Sequence, residues 1–353
     1  MKIGIVNSGG DCAGLNAVIA SVVRTASFKD IECVGFEKGW EGVLDNQIIP
    51  LSRKTVSGIS HLGGTVLHTI NKGRFAGKKG SGSVNQIPQE VIDEAVSNIK
   101  NNKVDCLIVI GGDGTLSGAL QLQEAGVPIV GIPKSIDNDL SSTDSTFGFS
   151  TAVDVAVEAI DKIHTTATSH GRVFFIECMG RHAGWISLYA GLAANASGIL
   201  LPEFPVNLDT LVEFFLERQK SHGYSIIVVS EGVSQFLSDT SGADTPELKL
   251  HGASENLMAT LKNKAGDQFE MRNVVLGHLQ RGGNPNAYDR ILAKRYGIAA
   301  VEAVMDQKFG EMVRLRGTSI DTVSIKEAVG KLHLVTKENH IYQTAKKLGL
   351  YIN

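Results

Sequence analysis

Seven short apolar segments, most of which end in glycine or in charged residues, are the feature that most constrains the fold of this chain. They are KIGIVNSGG (2–10), IECVGF (31–36), DCLIVIGGDG (105–114), VPIVGIP (127–133), RVFFIECMG (172–180), YSIIVVSEG (224–232) and RNVVLGHLQRGG (272–283). Most of them are nearly continuously apolar, which is the pattern of strands covered on both faces. We therefore expect these segments to be the strands of parallel sheets.

Helical patterns lie between the predicted strands. Residues 14–26 and 151–163 have apolar side chains at helical spacing, and Asn207 is the predicted N-cap of a third helix over residues 208–221. The alternation of strands and helices predicts an α/β fold of mostly parallel sheets flanked by helices. A length of 353 residues is more than one simple core needs and indicates two lobes.

Composition narrows the class of protein. The net charge is −3 and the pI is about 6.4, so no basic field points to nucleic acid. No segment reaches the roughly 18 apolar residues of a membrane span, and no signal peptide is recognised, so we expect a cytoplasmic protein. Cys33, Cys106 and Cys178 lie in strand-like segments and are predicted to be buried, reduced thiols.

Two glycine-rich turns are candidate phosphate sites, because ligands of such sheets bind outside the carboxyl ends of the strands. The turns are SGGDCAGLN (8–16) and IGGDGTLSGA (110–119). Each leads into a helix, whose N-terminal backbone N–H groups attract phosphate. In the second turn Asp113 adds a carboxylate for a divalent cation, Thr115 adds a hydroxyl, and Gly114 lets the backbone approach a bulky ligand. An ordinary tight turn is the alternative for both.

The segment PKSIDND (133–139) follows another apolar strand and carries three charges. Lys134 is a flexible cation that suits a phosphoryl group. Asp137 and Asp139 are separated by one residue in a turn, so one carboxylate could act as a base toward a hydroxyl while the other lies near a metal ion. A solvated acidic turn is the alternative.

Cationic side chains at or near other strand ends form a second group of candidates. They are Arg172, Arg181, Arg272, His278 and Arg281. An arginine fork matches two phosphate oxygens at once, and Glu231, at the end of another strand, could accept hydrogen bonds from sugar hydroxyls. A metal–nucleotide end, a phosphate clamp and Asp137 together predict phosphoryl transfer between two phosphorylated molecules, in which positioning and charge neutralisation dominate.

Residues 2 to about 300 resemble the 6-phosphofructokinase family. The resemblance is carried, in order, by GGDCAGLN, GGDGT, PKSIDND, TFGFSTA (146–152), MGRHAGW, PEFP (202–205), SEG (230–232) and LGHLQRGGNPNAYDR. It implies the phosphofructokinase fold of two Rossmann-like lobes. It also implies transfer of a phosphoryl group from Mg²⁺-bound ATP to the C1 hydroxyl of fructose 6-phosphate, a step of glycolysis.

The resemblance also implies a role for each matching residue. Asp137 is similar to the general base, with Lys134 and Arg181 also expected to be catalytic, and Asp113 and Asp139 are similar to the metal-associated carboxylates. The expected ATP-binding residues are Gly10, Lys72, Arg74, Gly112, Asp113, Gly114 and Thr115. The expected sugar-phosphate residues are Ser135, Asp137, Arg172, Met179, Gly180, Arg181, Glu231, Arg272, His278 and Arg281.

The implied organisation has two domains and several subunits. A larger ATP/Mg²⁺ domain is expected over residues 1–148 and about 280–328. A smaller sugar-phosphate domain is expected over about 149–279 and 329–353, where the tail is predicted to contain a short amphipathic helix. Arg172 and Arg272 correspond to arginines that reach into a neighbouring subunit, so a homo-oligomer with shared active sites, usually a tetramer, is expected.

The phosphoryl donor is the main alternative within the family. Pyrophosphate-using members carry Lys at the position of Lys134 but typically Asp at the position of Gly114, where a side chain would intrude on the α-phosphate of a nucleotide. Gly114 therefore favours ATP, with the pyrophosphate-dependent enzyme as the alternative. A different GGDGT kinase of the NAD kinase or lipid kinase type, and a non-catalytic subunit on this scaffold, are remote alternatives.

Overall fold

The fold is that of a computed structural model, which describes residues 1–71, 73–75, 86–236 and 252–353. The chain forms two compact units. The first contains Met1–Ile136, Leu140–Thr151 and Arg281–Leu332, and the second contains Asp137–Asp139, Ala152–Gln280 and His333–Asn353. The largest difference from the predicted boundaries is that Asp137–Asp139 belongs to the second unit and not to the first.

Strands and helices alternate along most of the described chain. The strands are β1 (Lys2–Asn7), β2 (Glu32–Phe36), β3 (Ile48–Leu51), β4 (Cys106–Gly111), β5 (Ile129–Pro133), β6 (Val173–Cys178), β7 (Gly198–Leu200), β8 (Ser225–Ser230), β9 (Met271–Val275), β10 (Glu311–Arg316), β11 (Ser319–Ser324) and β12 (Tyr351–Ile352). The helices are α1 (Leu15–Ser27), α2 (Trp40–Leu44), α3 (Gln89–Asn101), α4 (Asp113–Glu124), α5 (Phe149–His170), α6 (Trp185–Ala193), α7 (Leu208–Ser221), α8 (Ala253–Ala265), α9 (Ala287–Met305), α10 (Ile325–Ala328) and α11 (His340–Lys347). Two 3₁₀ helices cover Glu231–Phe236 and Gly277–Arg281.

The first unit is built on a sheet in the order β11-β10-β5-β4-β1-β2-β3. Its inner strands are parallel, and β4 and β5 are fully buried, as their continuous apolar sequence predicts. Only the two edge strands, β3 and β11, run antiparallel. Both edge strands and β10 were absent from the predicted segments. The β10–β11 hairpin mixes buried, half-buried and exposed side chains, so it lacks the continuous apolar pattern of the buried strands.

The second unit is built on a five-stranded sheet in the order β12-β7-β8-β6-β9, in which every neighbouring pair is parallel. A buried carboxylate links this sheet to α8, because Glu177 in β6 accepts hydrogen bonds from the N–H and hydroxyl of Ser254 and from the N–H of Gly252. β9 is an edge strand with exposed side chains, so its segment is not covered on both faces as predicted. The α/β fold with mostly parallel sheets is confirmed.

Several local predictions are confirmed. The Asn207 side chain accepts hydrogen bonds from the N–H groups of Asp209 and Thr210, at 3.0 and 3.2 Å, and caps a helix that spans Leu208–Ser221. The predicted tail helix is α11, which buries Tyr342 and Ala345. All four cysteines are buried and free, and no described helix is long and apolar enough to cross a membrane.

Replacing the Asn207 cap tests the local stability of α7. Asn207→Ala removes the acceptor of two helix N–H groups, so we expect a loss of about 1 kcal/mol, seen as a lower urea midpoint by circular dichroism. Asn207→Ser keeps a capping oxygen and should retain most of the stability. An unchanged midpoint for Asn207→Ala would contradict this role.

Candidate functional site

The two glycine-rich turns lie side by side in the first unit, because β1 and β4 are neighbouring parallel strands with Asn7 opposite Ile110. The Thr115 hydroxyl donates a 3.1 Å hydrogen bond to the carbonyl oxygen of Ser8 and joins the two turns. Its hydroxyl therefore has a structural partner in addition to the predicted ligand role. Gly9 has φ +86° and supplies the left-handed backbone that the first turn requires.

Two cationic side chains converge on Gly10. Lys134, only 6% exposed, donates from Nζ to the carbonyl oxygen of Gly10 at 2.5 Å. The Arg281 guanidinium lies directly over Gly10, since a Cβ built on this glycine would be 2.8 Å from Nη1. Positive charge and a turn without side chains are what a phosphate group requires, so this part of the first unit suits an anion.

Helix α4 offers a second anion-binding feature in the same unit. Its N-cap is Gly112, which has extended backbone and no capping side chain. Asp113 follows in the first turn, and its Oδ1 accepts a 2.7 Å hydrogen bond from the N–H of Gly330. A Cβ built on Gly114 would meet no described atom within 4 Å, so open space adjoins this glycine.

The two basic residues expected to bind ATP, Lys72 and Arg74, have different outcomes. Lys72 lies outside the described residues. Arg74 lies among carboxylates: its Nε donates to Glu41 at 2.9 Å, and its Nη2 donates to Asp45. These bonds, with Asp45 the larger influence, hold the pKa of Arg74 above its ordinary value. A phosphate group that binds Arg74 must therefore compete with the carboxylates of Glu41 and Asp45.

The PKSIDND turn is fixed on both sides of Ile136. The Thr146 hydroxyl donates to the carbonyl oxygen of Ser135 at 2.5 Å. Asn138 has φ +51°, a left-handed conformation that asparagine tolerates better than most residues. This residue separates Asp137 from Asp139, which are both half-buried.

The second unit brings together three strand ends that carry predicted substrate-binding residues. Cys178 in β6 pairs with Ser230 in β8, and Glu177 pairs with Val275 in β9. Met179, Glu231 and the 3₁₀ helix that contains His278 therefore follow neighbouring strands. Such an edge, at the carboxyl ends of parallel strands, is where ligands bind in α/β sheets.

Two glycines allow the loops after β6 and β8 to meet backbone to backbone. Gly180 has φ +137°, and its carbonyl oxygen accepts a 3.2 Å hydrogen bond from the N–H of Gly232. A Cβ built on Gly232 would lie 2.0 Å from the carbonyl oxygen of Arg181. The position of Arg181 therefore depends on the absence of a side chain at 232.

Gln280 contacts a predicted substrate-binding residue, Met179, and was not among the residues predicted from the sequence. It is 1% exposed, and its Oε1 accepts a 2.7 Å hydrogen bond from the N–H of Met179. Within the described part of the chain, its Nε2 has no hydrogen-bond partner. The available signal was its place between His278 and Arg281, but a neutral amide in that run did not indicate a contact with the β6 loop.

Arg181 and the neighbouring His182 form a half-buried basic pair. The Nε atom of Arg181 has no hydrogen-bond partner among the described residues, and neither does Nε2 of His182. Burial, together with the charge of Arg181, lowers the pKa of His182. His182 is thereby kept neutral, so Arg181 carries the positive charge of this loop near neutral pH.

The two arginines predicted to serve a neighbouring subunit share one carboxylate. Arg172 Nε and Arg272 Nη2 each donate to Glu270 Oε1 at 2.7 Å. This contact places both guanidinium groups beside β9, the edge strand of the second sheet. The structure therefore brings the pair together, as the prediction of a common role requires.

The chain has a family match over most of its length. Residues 2–304 match the family model described as Phosphofructokinase. Among curated proteins, the chain is 42% identical over 359 residues to ATP-dependent 6-phosphofructokinase 2 of Clostridium perfringens, with coverage of 99% of this chain and 97% of the relative. It is 45% identical over 362 residues to ATP-dependent 6-phosphofructokinase of Chloroflexus aurantiacus, with the same coverage.

A pyrophosphate-dependent relative is similarly close. Pyrophosphate–fructose 6-phosphate 1-phosphotransferase of Streptomyces coelicolor is 44% identical over 346 residues, which are 95% of this chain and 96% of the relative. Among solved structures, a pyrophosphate-dependent phosphofructokinase from Marinobacter aquaeolei superposes with a TM-score of 0.81 at 22% identity, over 100% of this chain and 88% of that one. This structural likeness shows the fold, and the donor has to be argued from individual positions.

Two glycine-to-alanine variants test the close approach at Gly232. In Gly232→Ala the new methyl group meets a backbone oxygen that cannot move independently, so we expect a loss of about 1–3 kcal/mol of stability. In Gly114→Ala the methyl group enters open space on a helix, so stability should be unchanged or rise by up to about 1 kcal/mol. Thermal midpoints measure both, and equal midpoints would contradict the packing argument.

Proposed function

Because the chain belongs to the phosphofructokinase family, we propose that it transfers the γ-phosphoryl group of ATP to the C1 hydroxyl of fructose 6-phosphate. The products are ADP and fructose 1,6-bisphosphate, and the reaction is a step of glycolysis. The observation that carries the choice of donor is the open space beside Gly114. A nucleotide needs room for its α-phosphate there, whereas a carboxylate at this position would fill that room and repel the phosphate.

The donor is assigned to the first unit. Gly10, Gly112 and Gly114 let backbone approach the phosphates, and the uncapped N-terminus of α4 contributes N–H groups. Thr115 is assigned mainly to holding the two turns together, because its hydroxyl already bonds Ser8. Contacts of Lys72 and Arg74 with ATP remain proposals. To bind ATP, Arg74 would have to replace its hydrogen bond to Glu41 or Asp45 by one to a phosphate oxygen.

The acceptor sugar is assigned to the loops that follow β6, β8 and β9. Met179, Gly180 and Arg181 line the first of these loops, and the buried Glu231 follows β8. Glu231 is proposed to accept hydrogen bonds from sugar hydroxyls, and Ser135 is also assigned to this substrate. His278 and Arg281 are proposed to bind the 6-phosphate, which suits an exposed imidazole and a guanidinium fork.

Asp137 is proposed as the general base. Its carboxylate takes the proton of the C1 hydroxyl while that oxygen bonds to the γ-phosphorus and the bond to the β–γ bridging oxygen breaks. Lys134 and Arg181 are proposed to neutralise the charge on the transferred group. Because Lys134 is held by the carbonyl oxygen of Gly10, its ammonium group is positioned before the donor binds.

The carboxylates available in the proposed site suit a magnesium ion that arrives with the nucleotide. Among the described residues, no group of three or more His, Cys, Asp and Glu side chains could hold a metal alone. Mg²⁺ commonly uses one or two carboxylates, several waters and substrate phosphates, so Asp113 and Asp139 are the proposed protein ligands. When bound, the ion withdraws charge from the phosphate oxygens.

Self-association is proposed on two exposed surfaces. Arg172 and Arg272 lie beside the edge strand β9, where Val275 is also 46% exposed. On α9, four large apolar side chains are exposed at spacings of three and seven: Tyr288, Ile291, Ile298 and Met305. We propose a homo-oligomer, a tetramer in which Arg172 and Arg272 serve the active site of a neighbouring subunit.

The proposed substrates of the enzyme are cytoplasmic metabolites, so the cytoplasm is the proposed location.

The remaining alternatives have specific objections. A non-catalytic subunit would be expected to lack the base or part of the clamp, yet Asp137, His278 and Arg281 are all present. Kinases of the NAD or lipid type are not expected to have the sugar-phosphate clamp. The pyrophosphate-dependent enzyme remains the second candidate, because Lys134 is compatible with either donor and one relative carries that name.

The donor is tested by initial rates with fructose 6-phosphate and Mg²⁺, supplying either ATP or pyrophosphate. We expect turnover with ATP. Gly114→Asp should lower kcat/KM for ATP by at least about tenfold, because the carboxylate occupies and repels the α-phosphate region. Gly114→Ala is the control for the side chain without charge. Turnover of the wild type with pyrophosphate alone would overturn the choice of ATP.

The base is tested by Asp137→Ser. Loss of a positioned base should lower kcat by about 10²–10⁴-fold with much smaller changes in KM. Asp161→Ser makes the same chemical change at an exposed position of α5 and should leave kcat within about twofold of the wild type. Near-normal turnover of Asp137→Ser would remove Asp137 from this role.

A further inference from the structure

The C-terminal segment makes direct contact with the turn that contains the proposed base. The backbone N–H of His333 donates to the carbonyl oxygen of Asp139 at 2.8 Å. Its Nδ1 lies 3.3 Å from the carbonyl oxygen of Asn138, which can only accept, so this ring nitrogen is the donor. One histidine therefore holds two consecutive carbonyl groups, both immediately after Asp137.

His333 is itself fixed from the other side by a buried tryptophan. Trp185, at the start of α6, donates from Nε1 to the carbonyl oxygen of His333 at 2.7 Å. The two rings are in contact and tilted by 35° to each other, with centroids 4.6 Å apart. Trp185 is 3% exposed, so the histidine is attached to a rigid part of the second unit.

A carboxylate ties the neighbouring segments together. Glu203 Oε1 accepts hydrogen bonds of 2.9 Å from the N–H of Gly184, just before α6, and from the N–H of Val335, just after His333. The tail is thus anchored just after the histidine, and its contact with the turn is part of a connected hydrogen-bonded network.

The turn has a physical need for such support. Asn138 has a left-handed backbone, and the side chains of Asp137 and Asp139 depend on the orientation of the peptide groups on either side of it. A displacement of about 1 Å in a reacting group can cost about 10²-fold in rate. Any residue except proline at 333 would supply the backbone N–H, but only a donor placed like Nδ1 also restrains the Asn138 carbonyl group.

We propose that His333 is a positioning residue that, through its Nδ1–H, holds the Asn138 peptide group and thereby orients the carboxylate of Asp137. This role rests on the proposed phosphotransferase function. It gives the tail, which carries none of the motifs of the family resemblance, a direct part in the arrangement of the active-site turn. The ring contact with Trp185 orients the imidazole ring, and the Nδ1 hydrogen bond acts on the turn.

Three substitutions of His333 separate the effect of the Nδ1 hydrogen bond from that of the ring contact with Trp185. Asparagine places its side-chain N–H₂ where histidine has Nδ1, whereas glutamine places it nearer to the position of Nε2, and alanine has neither. We expect His333→Ala and His333→Gln to lower kcat by about 5- to 50-fold, with KM for fructose 6-phosphate and ATP changed by less than about twofold. His333→Asn should restore kcat to within about threefold of the wild type, although asparagine has no ring to contact Trp185.

The matched control is His340→Ala, which removes an exposed histidine from the same tail. It should leave kcat unchanged. Equal effects of Asn, Gln and Ala at position 333, or a change confined to KM, would overturn the proposal. Folding is followed by circular dichroism, and only variants with the far-ultraviolet spectrum of the wild type are compared.

Hydrogen exchange of the full-length protein provides a readout that needs no turnover. Peptides that cover residues 137–140 should exchange faster in His333→Ala than in the wild type, and His333→Asn should reduce the difference. If the wild type shows no turnover with ATP or pyrophosphate, the proposed function fails, and the exchange data then decide alone whether His333 restrains the turn. Unchanged exchange in His333→Ala would overturn the restraint itself.

Discussion

The parallel register of the strands is the constraint on which the rest of this structure depends. Asn7 lies opposite Ile110 in one sheet, and Cys178 lies opposite Ser230 in the other. A parallel register brings the carboxyl ends of neighbouring strands to one edge, so turns that are about 50 to 100 residues apart in sequence become neighbours. The hydrophobic effect that buries these strands also determines which polar residues meet, because each strand's last buried residue sets where its loop begins.

At these edges, glycines without side chains allow neighbouring groups to approach the backbone closely. Gly10 has a guanidinium group against it, and Gly232 lies against the carbonyl oxygen of Arg181. Close approach leaves peptide N–H and C=O groups available where a ligand would bind, and it places the few charged side chains at defined distances from them. Lys134 illustrates this, since its ammonium group donates a hydrogen bond of 2.5 Å to the carbonyl oxygen of Gly10.

The sequence predicted the fold class and the buried strands, because a short, continuous apolar run is typical of a strand that is covered on both faces. It was also sufficient for the cap at Asn207, whose signal is local. The edge strands and the exposure of β9 were not predicted, since the edge of a sheet depends on strand order. In the candidate site, residue types were readable, but contacts such as Gln280 with Met179 and Arg74 with Glu41 join distant segments and leave no local pattern.

Lys134 and Gly114 carry different information about the donor for a physical reason. The ammonium group of Lys134 is buried and bonded to the first glycine-rich turn, so it stabilises that turn whichever phosphoryl donor binds. Gly114 has open space beside it on the first turn of α4, so nothing in the described structure requires a glycine there for packing. A position that is free to vary by packing and yet lacks a side chain is better explained by the ligand than by the fold. The identity of residue 114 is therefore the stronger indicator of a nucleotide donor.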